Sequence, residues 1–198
     1  MANPLGDYIL CLLETARMRV VCFMAMSING IVARNRNEDV SAWTSVEDHR
    51  FFLTKVREYD AIITGRKSLN PELTYMPTYL LTHHPVAYNE YPNICCVSYT
   101  GQDLLLHLKN KGHQHIALLG GPLTNSVFFA DNLVDELYIT IEPIIFGQGL
   151  HFNGNNGIGD YCTNWTLVDC QILNTQGTIL LHYQNSTQNI RKEIYNDR

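Results

Sequence analysis

Apolar and polar positions along the chain change period several times, and each change marks an element. Residues 19–26 (RVVCFMAM) are almost continuously apolar, which predicts a first strand buried on both faces. Ser27-Ile28-Asn29-Gly30 reads as a turn, after which Ile31-Val32-Ala33 resumes an extended run. A polar loop, 34–40, leads to Ser45, a helix N-cap with Asp48 three residues on, which is a variant of the capping box. That helix carries Phe52 and Val56 on one side and ends near Tyr59. Asp60 opens a second strand, AIIT, which runs into Gly65. Strands follow at 78–82 and 93–97, then a leucine-rich helix over 102–111 that Gly112 stops.

The longest informative stretch is 115–149. An apolar run, 116–119, reaches Gly120-Gly121, and Pro122 suits the first position of a helix because its missing N–H costs nothing there. Leu123, Val127 and Ala130 recur at helical spacing and predict one buried side. From Leu137 the period becomes two, with Leu137, Ile139 and Ile141 on one face and Tyr138, Thr140 and Glu142 on the other. A Gly/Asn-rich loop covers 153–159, and 165–173 with 178–183 form a hairpin around Asn174-Thr175-Gln176-Gly177. Alternating strands and helices closed by two antiparallel strands predict an α/β fold with a mainly parallel sheet.

Ligands of such sheets lie outside the carboxyl ends of the strands, where two glycine turns fall. Gly120-Gly121 before a helix start can bring backbone N–H groups close to an anion such as pyrophosphate, or can simply make a tight turn. Gly65-Arg66-Lys67-Ser68 adds two cations and a hydroxyl at the end of another strand, a composition suited to phosphate.

A length of 198 residues sustains one sizeable core, and 45% hydrophobic with 17% charged residues is a globular composition. The formal charge of -5 argues against nucleic acid as the main partner. Cysteines 11, 22, 95, 96, 162 and 170 contain no C-x-x-C pair and read as reduced, mostly buried thiols of a cytoplasmic protein. The apolar run 8–13 is far too short to span a membrane and lacks a basic leader, so residues 1–17 read as an accessory extension. The core then spans 18–185, with a polar tail over 186–198. His83-His84 and His113-x-His115 lack the Cys or carboxylate company of a metal site, and no metal is expected.

Three segments, MAMSINGIVA, DAIITGRKSLNPELT and LLGGPLTNSVFFADNLVDELYITIEPIIFGQG, together resemble the dihydrofolate-reductase-like superfamily. The last, with LVDEL and a P-I-x-F-G-x-G ending, is most similar to the RibD C-terminal reductase family. The resemblance implies a three-layer α/β fold, helices on both faces of the sheet, and NADPH-dependent reduction of the ribosyl side chain of 5-amino-6-(5-phosphoribosylamino)uracil to ribityl. The H-x-E and P-C-x-x-C deaminase signature is absent, which makes a stand-alone reductase. Carried over by position, Ala25 and Val32 flank the nicotinamide. Trp43, Gly65, Arg66, Lys67, Ser68, Thr82, His83, Gly120, Gly121, Pro122, Leu123 and Thr124 hold the rest of NADPH. Asn29, Ser41, Arg57 and Leu73 fall at substrate positions. Asp48 has the spacing from Trp43 of the proton-relaying carboxylate of bacterial folate reductases, and equally that of a helix-start carboxylate stabilised by the dipole.

The chain departs from the family pattern mainly on the substrate side. Asn29 replaces the aspartate of S-x-D-G, and Asn70-Pro71 shortens a D-D-P. Met76 stands where an arginine is common, and Leu119 where a substrate-binding glutamate is common. Three functions follow: the pyrimidine reductase, a reductase of a pterin, folate or other heterocycle, and a nucleotide-binding protein without catalysis. Related stand-alone reductases pair, so a homodimer is expected through 137–145 and the C-terminal hairpin.

Overall fold

The computed structural model describes residues 18–82, 91–152 and 162–187. The expectations for the 1–17 extension, for His83, for the 153–159 loop and for the tail beyond Thr187 lie outside the described residues. The strands are β1 Arg19–Ser27, β2 Ile31–Ala33, β3 Ala61–Gly65, β4 Thr78–Leu81, β5 Ile94–Val97, β6 His115–Leu118, β7 Glu136–Glu142, β8 Leu150–His151, β9 Trp165–Ile172 and β10 Ile179–Asn185. The helices are α1 Val46–Val56, α2 Gly101–Asn110 and α3 Pro122–Ala130.

Eight strands form one sheet in the order β5-β4-β3-β6-β1-β7-β10-β9. Pairings from β5 through β7 are parallel, and β10 runs antiparallel to both β7 and β9. β1 lies inside this sheet, which is why its sequence is apolar without alternation. Its even positions, Val20 and Cys22, pack with Leu104 and Leu108 of α2 and Phe128 and Phe129 of α3. Its odd positions, Val21 and Phe23, pack with Val56 of α1, Ile62, Ala117, Leu73 and Met76. This is the expected dihydrofolate-reductase-like arrangement, with helices on both faces. Phe128 is fully buried in the first cluster, and truncating it to alanine would cost about 3–5 kcal/mol.

Two local expectations are corrected, and one feature is added. The buried residues of α3 are Thr124, Asn125, Ser126, Phe128 and Phe129; of the expected inner residues, Val127 packs half-buried against the core, while Leu123 is 55% exposed. The first turn of α3 leans on backbone rather than on an apolar floor, so the positions facing inward there are polar. Asn125 is the example: its side-chain N–H donates to the Phe152 carbonyl at 3.3 Å, in space that the missing Cβ of Gly120 leaves open.

The thiols are not mostly buried either: Cys22 is, but Cys95, Cys162 and Cys170 are exposed and Cys96 is intermediate. Cys95 and Cys96 lie on β5 and Cys170 on β9, the two edge strands, where helix cover runs out. Finally, the sequence hid a two-stranded ribbon of β2 and β8. A Cβ at Gly149 would strike Ile31 and the Ala33 carbonyl, so this ribbon closes only around glycine.

Candidate active site

β3 and β6 are parallel neighbours, so their carboxyl ends deliver the two glycine turns side by side. The Gly65 N–H donates to the Gly120 carbonyl at 2.6 Å, and the Thr64 hydroxyl donates to the same oxygen at 3.1 Å. Gly120 has φ +81, in the left-handed region, and the Gly120-Gly121 peptide is cis. A Cβ on Gly65 would lie 2.8 Å from the Thr124 hydroxyl oxygen, and one on Gly121 would lie 2.9 Å from that of Ser68. The glycines therefore let the turns interlock, which is the tight-turn role. The anion-binding role is also open to them. Ser45 and Thr100 cap α1 and α2 with their hydroxyls, whereas Gly121 gives α3 no side-chain cap. The start of α3 and its positive dipole end thus lie beside the turn that carries exposed Arg66 and Lys67. Those features fit a cofactor phosphate. Lys67 donates to the Asn37 side-chain oxygen at 2.6 Å, tying the 34–40 loop to this turn.

The second half of the site lies on the α1 face of β1 and β7. Ala25 is half-buried and pairs with Thr140 across the two strands. Over Thr140 sits Asp48, 8% exposed, with Glu142, 3% exposed, two residues further along β7. Burial pushes the Asp48 carboxyl from 3.8 up to about 6. The Thr140 hydroxyl opposes that shift, the negative Glu142 adds to it, and His49 opposes it.

The capping box is only half as expected. Ser45 Oγ accepts from the Asp48 N–H at 3.2 Å, but the reciprocal acceptor for the Ser45 N–H is Glu142, at 2.7 Å, not Asp48. Asp48 thus caps through its backbone and keeps its carboxyl for the sheet side. Thr140 and Glu142 were missed as site residues. Their signal was present in the polar face of a strand that lies between two others.

The remaining expected residues divide. Val32 is half-buried on β2, and Trp43 packs edge-on against Phe146 at 5.3 Å with its indole N–H buried and unpartnered among the described residues. Asn29 clamps the Phe146 backbone, accepting from its N–H at 3.2 Å and donating to its carbonyl at 2.7 Å. An aspartate there would lose the donor to the Phe146 carbonyl. Ser41 is exposed and its hydroxyl donates to Asp39 at 2.7 Å. Thr82 follows β4, with its N–H on the Val97 carbonyl at 2.9 Å. Pro122 and Leu123 open α3 with Thr124 beside the Gly65 turn. Arg57, by contrast, is the exposed C-cap of α1, about 13 Å along the helix axis from Asp48. Leu73 and Met76 are 2% and 6% exposed in the core beneath α1, and Leu119 packs against the same cluster.

An interior parallel sheet, two interlocked glycine turns and a buried carboxyl on the adjoining strand face define an α/β protein of the dihydrofolate-reductase-like class. More narrowly, the chain belongs to the RibD C-terminal domain family, whose model matches residues 72–179. It is 24% identical over 144 residues to the uncharacterized protein YwjB of Bacillus subtilis (strain 168), covering 67% of this chain and 80% of that one. A riboflavin biosynthesis protein of Shewanella sp. PV-4 superposes with a TM-score of 0.70 at 19% identity, over 85% of this chain and 99% of that one. A diaminohydroxyphosphoribosylaminopyrimidine deaminase/5-amino-6-(5-phosphoribosylamino)uracil reductase of Thermotoga maritima gives 0.70 at 14% identity, over 90% of this chain and 60% of that longer one. At such identities the likeness to solved structures is one of fold. No helix among the described residues is long and apolar enough to cross a membrane.

Proposed function

We propose that the protein is an NADPH-dependent reductase of a small heterocyclic substrate, and that the ribosyl side chain of 5-amino-6-(5-phosphoribosylamino)uracil is the first substrate to test. The observation that carries this reading is Asp48: a buried carboxyl, held near Ala25 and Thr140 on the strand face that leads to the glycine cradle. The α3 N-terminus, with Arg66 and Lys67, would hold the cofactor phosphates, and Ala25 and Val32 would flank the nicotinamide. NADPH, when bound, supplies the hydride. The chain's own contribution is positioning, exclusion of water and a proton held on the Asp48 carboxyl for the reduced substrate. A carboxyl that titrates near 6 keeps part of its protons at neutral pH, as a general acid must.

A second reading, reduction of a pterin, folate or other heterocycle lacking the ribosyl phosphate, is favoured by one observation. Met76, which stands where an arginine is common, is a buried apolar side chain and offers no polar group to a substrate phosphate. The experiment is NADPH oxidation by the purified chain with the pyrimidine nucleotide and, separately, with dihydrofolate. Turnover of the nucleotide alone supports the first reading, and turnover of dihydrofolate alone supports the second. Tight NADPH binding with no turnover of either would leave a nucleotide-binding protein without catalysis.

A further inference from the structure

We infer that Glu142 is a positioning residue for the reduction: by taking the capping place that Asp48 would otherwise fill, it leaves the Asp48 carboxyl facing Thr140 and able to hold a proton there. The inference rests on the reductase reading, and it adds a residue that the resemblance does not supply.

The geometry is that of a substitution within a capping box. In the ordinary box the side chain three residues after the N-cap reaches back to the N-cap N–H. Here that residue is Asp48, and the N–H belongs to Ser45. Glu142 comes instead from the end of β7 and accepts from the Ser45 N–H with one oxygen at 2.7 Å. Its other oxygen accepts from the Thr178 hydroxyl, also at 2.7 Å, and Thr178 in turn accepts from the Asn174 amide at 2.9 Å. Glu142 is therefore fixed from both sides, by the start of α1 and by the β9–β10 hairpin. With the cap filled, Asp48 has no backbone N–H to return to, and its hydrogen-bonding neighbour becomes Thr140 on the sheet.

The charge acts in the same direction as the geometry. The groups facing Asp48 are few: Glu142 and Thr140 on β7, and His49 beside it on α1. On the same face β1 offers Phe23 and Ala25, which do not titrate. Glu142 is thus the negative neighbour, and a like charge at close range in a buried site favours the protonated acid. Burial remains the larger influence, so Glu142 adjusts the proton affinity that burial sets.

Two variants separate this role from simple support of the fold. Glu142→Gln removes the charge at nearly constant shape. Glu142→Asp keeps the charge but is one methylene short of the Ser45 N–H, so Asp48 is free to swing back to the cap. The readout is the carboxyl carbon NMR titration of Asp48 in the full chain, which needs no substrate, alongside the pH profile of turnover. In both variants the Asp48 midpoint should fall from about 6 toward the ordinary carboxylate range. In Glu142→Asp, kcat should drop at least tenfold with KM little changed, and the alkaline decline of activity should move to lower pH. Midpoints equal to that of the wild type in both variants, with lowered melting temperatures alone, would overturn the inference. A wild-type chain that oxidises no NADPH with either heterocycle would sink the reductase reading, and the positioning role with it, whatever the titration gives.

Discussion

Asp48→Asn should make the protein slower and, at alkaline pH, more stable. In the native state the carboxyl is pushed from 3.8 up to about 6, first by burial. A raised acid pKa means that the native state binds more protons than the unfolded chain between those two values. Native stability is then undiminished below pH 4 and falls as pH rises toward 6, and the full cost is present above it. That displacement corresponds to about 3 kcal/mol, an upper bound for a group that is 8% exposed. Taken below that bound, the relief in the asparagine variant is about 2 kcal/mol. For a chain of this size, about 2 kcal/mol raises the melting temperature by roughly 4–8 °C. Differential scanning calorimetry at pH 8 and pH 4 should show that gain at pH 8 and almost none at pH 4. Turnover should fall about a hundredfold, the scale of acid–base assistance, with little change in NADPH binding. A lower melting temperature at pH 8, or equal changes at the two pH values, would mean that Asp48 serves the helix and not the proton.

Other outcomes follow from the same geometry. Glu47→Gln is the control, since the partners of the Glu47 carboxylate are its own backbone N–H, the Asn174 amide at 3.2 Å and the charge of Arg50, none of them Asp48, and turnover should hold within a factor of about two, less than 0.5 kcal/mol of barrier. Gly121→Val should weaken NADPH binding at least tenfold, about 1.4 kcal/mol, and calorimetric affinity equal to wild type in a folded variant would place the cradle elsewhere. Replacing Arg66 and Lys67 with glutamine should narrow the preference for NADPH over NADH; Arg66 should contribute more, because Lys67 is already held by Asn37. Equal loss of both cofactors would assign the pair to the shared pyrophosphate. Ile172→Lys should reduce a homodimer to monomer in sedimentation, because Ile172 is 74% exposed and Leu167 49% exposed on the edge strand β9; a wild-type monomer at micromolar concentration would remove the premise.

The strands and helices were legible because period, caps and glycine stops act locally. Gly112 stops α2 through its own φ, and Ser45 starts α1 through its own hydrogen bond. The glycine turns were legible too, since a strand's carboxyl end followed by glycine needs no partner to be recognised. What the sequence could not show depends on pairs far apart in it. That Glu142 and not Asp48 completes the α1 cap requires β7 to pass under Ser45, a contact spanning 97 residues. That Asn29 clamps Phe146 requires the loops after β1 and β7 to meet. Period alone also misassigned α3, where a hydrogen-bonded Asn125 outcompeted Leu123 for the inner face.

The two halves of the site are built from different material, and this explains why one keeps the family pattern and the other does not. The cradle consists of backbone: carbonyls and N–H groups of Gly65, Gly120 and Gly121, whose geometry demands glycine because a Cβ would meet Thr124 or Ser68. Few sequences satisfy it, because only glycine allows both the left-handed φ of Gly120 and the close approach at Gly65 and Gly121. The half proposed for the substrate consists of side chains: Leu73 and Met76 on the α1 side, Leu119 after β6, Thr140 and Glu142 on β7. Glu142 apart, which holds the start of α1 and the β9–β10 hairpin, these positions set side-chain chemistry and not the course of the backbone. An arginine or glutamate at Met76 or Leu119 would bring a charge into the cluster of Val21, Phe23, Val56 and Ile62, where it would need a partner that the cluster lacks. The apolar residues at these two positions are therefore a matched set with their surroundings. A substrate carrying a phosphate would have to find its cation outside that cluster.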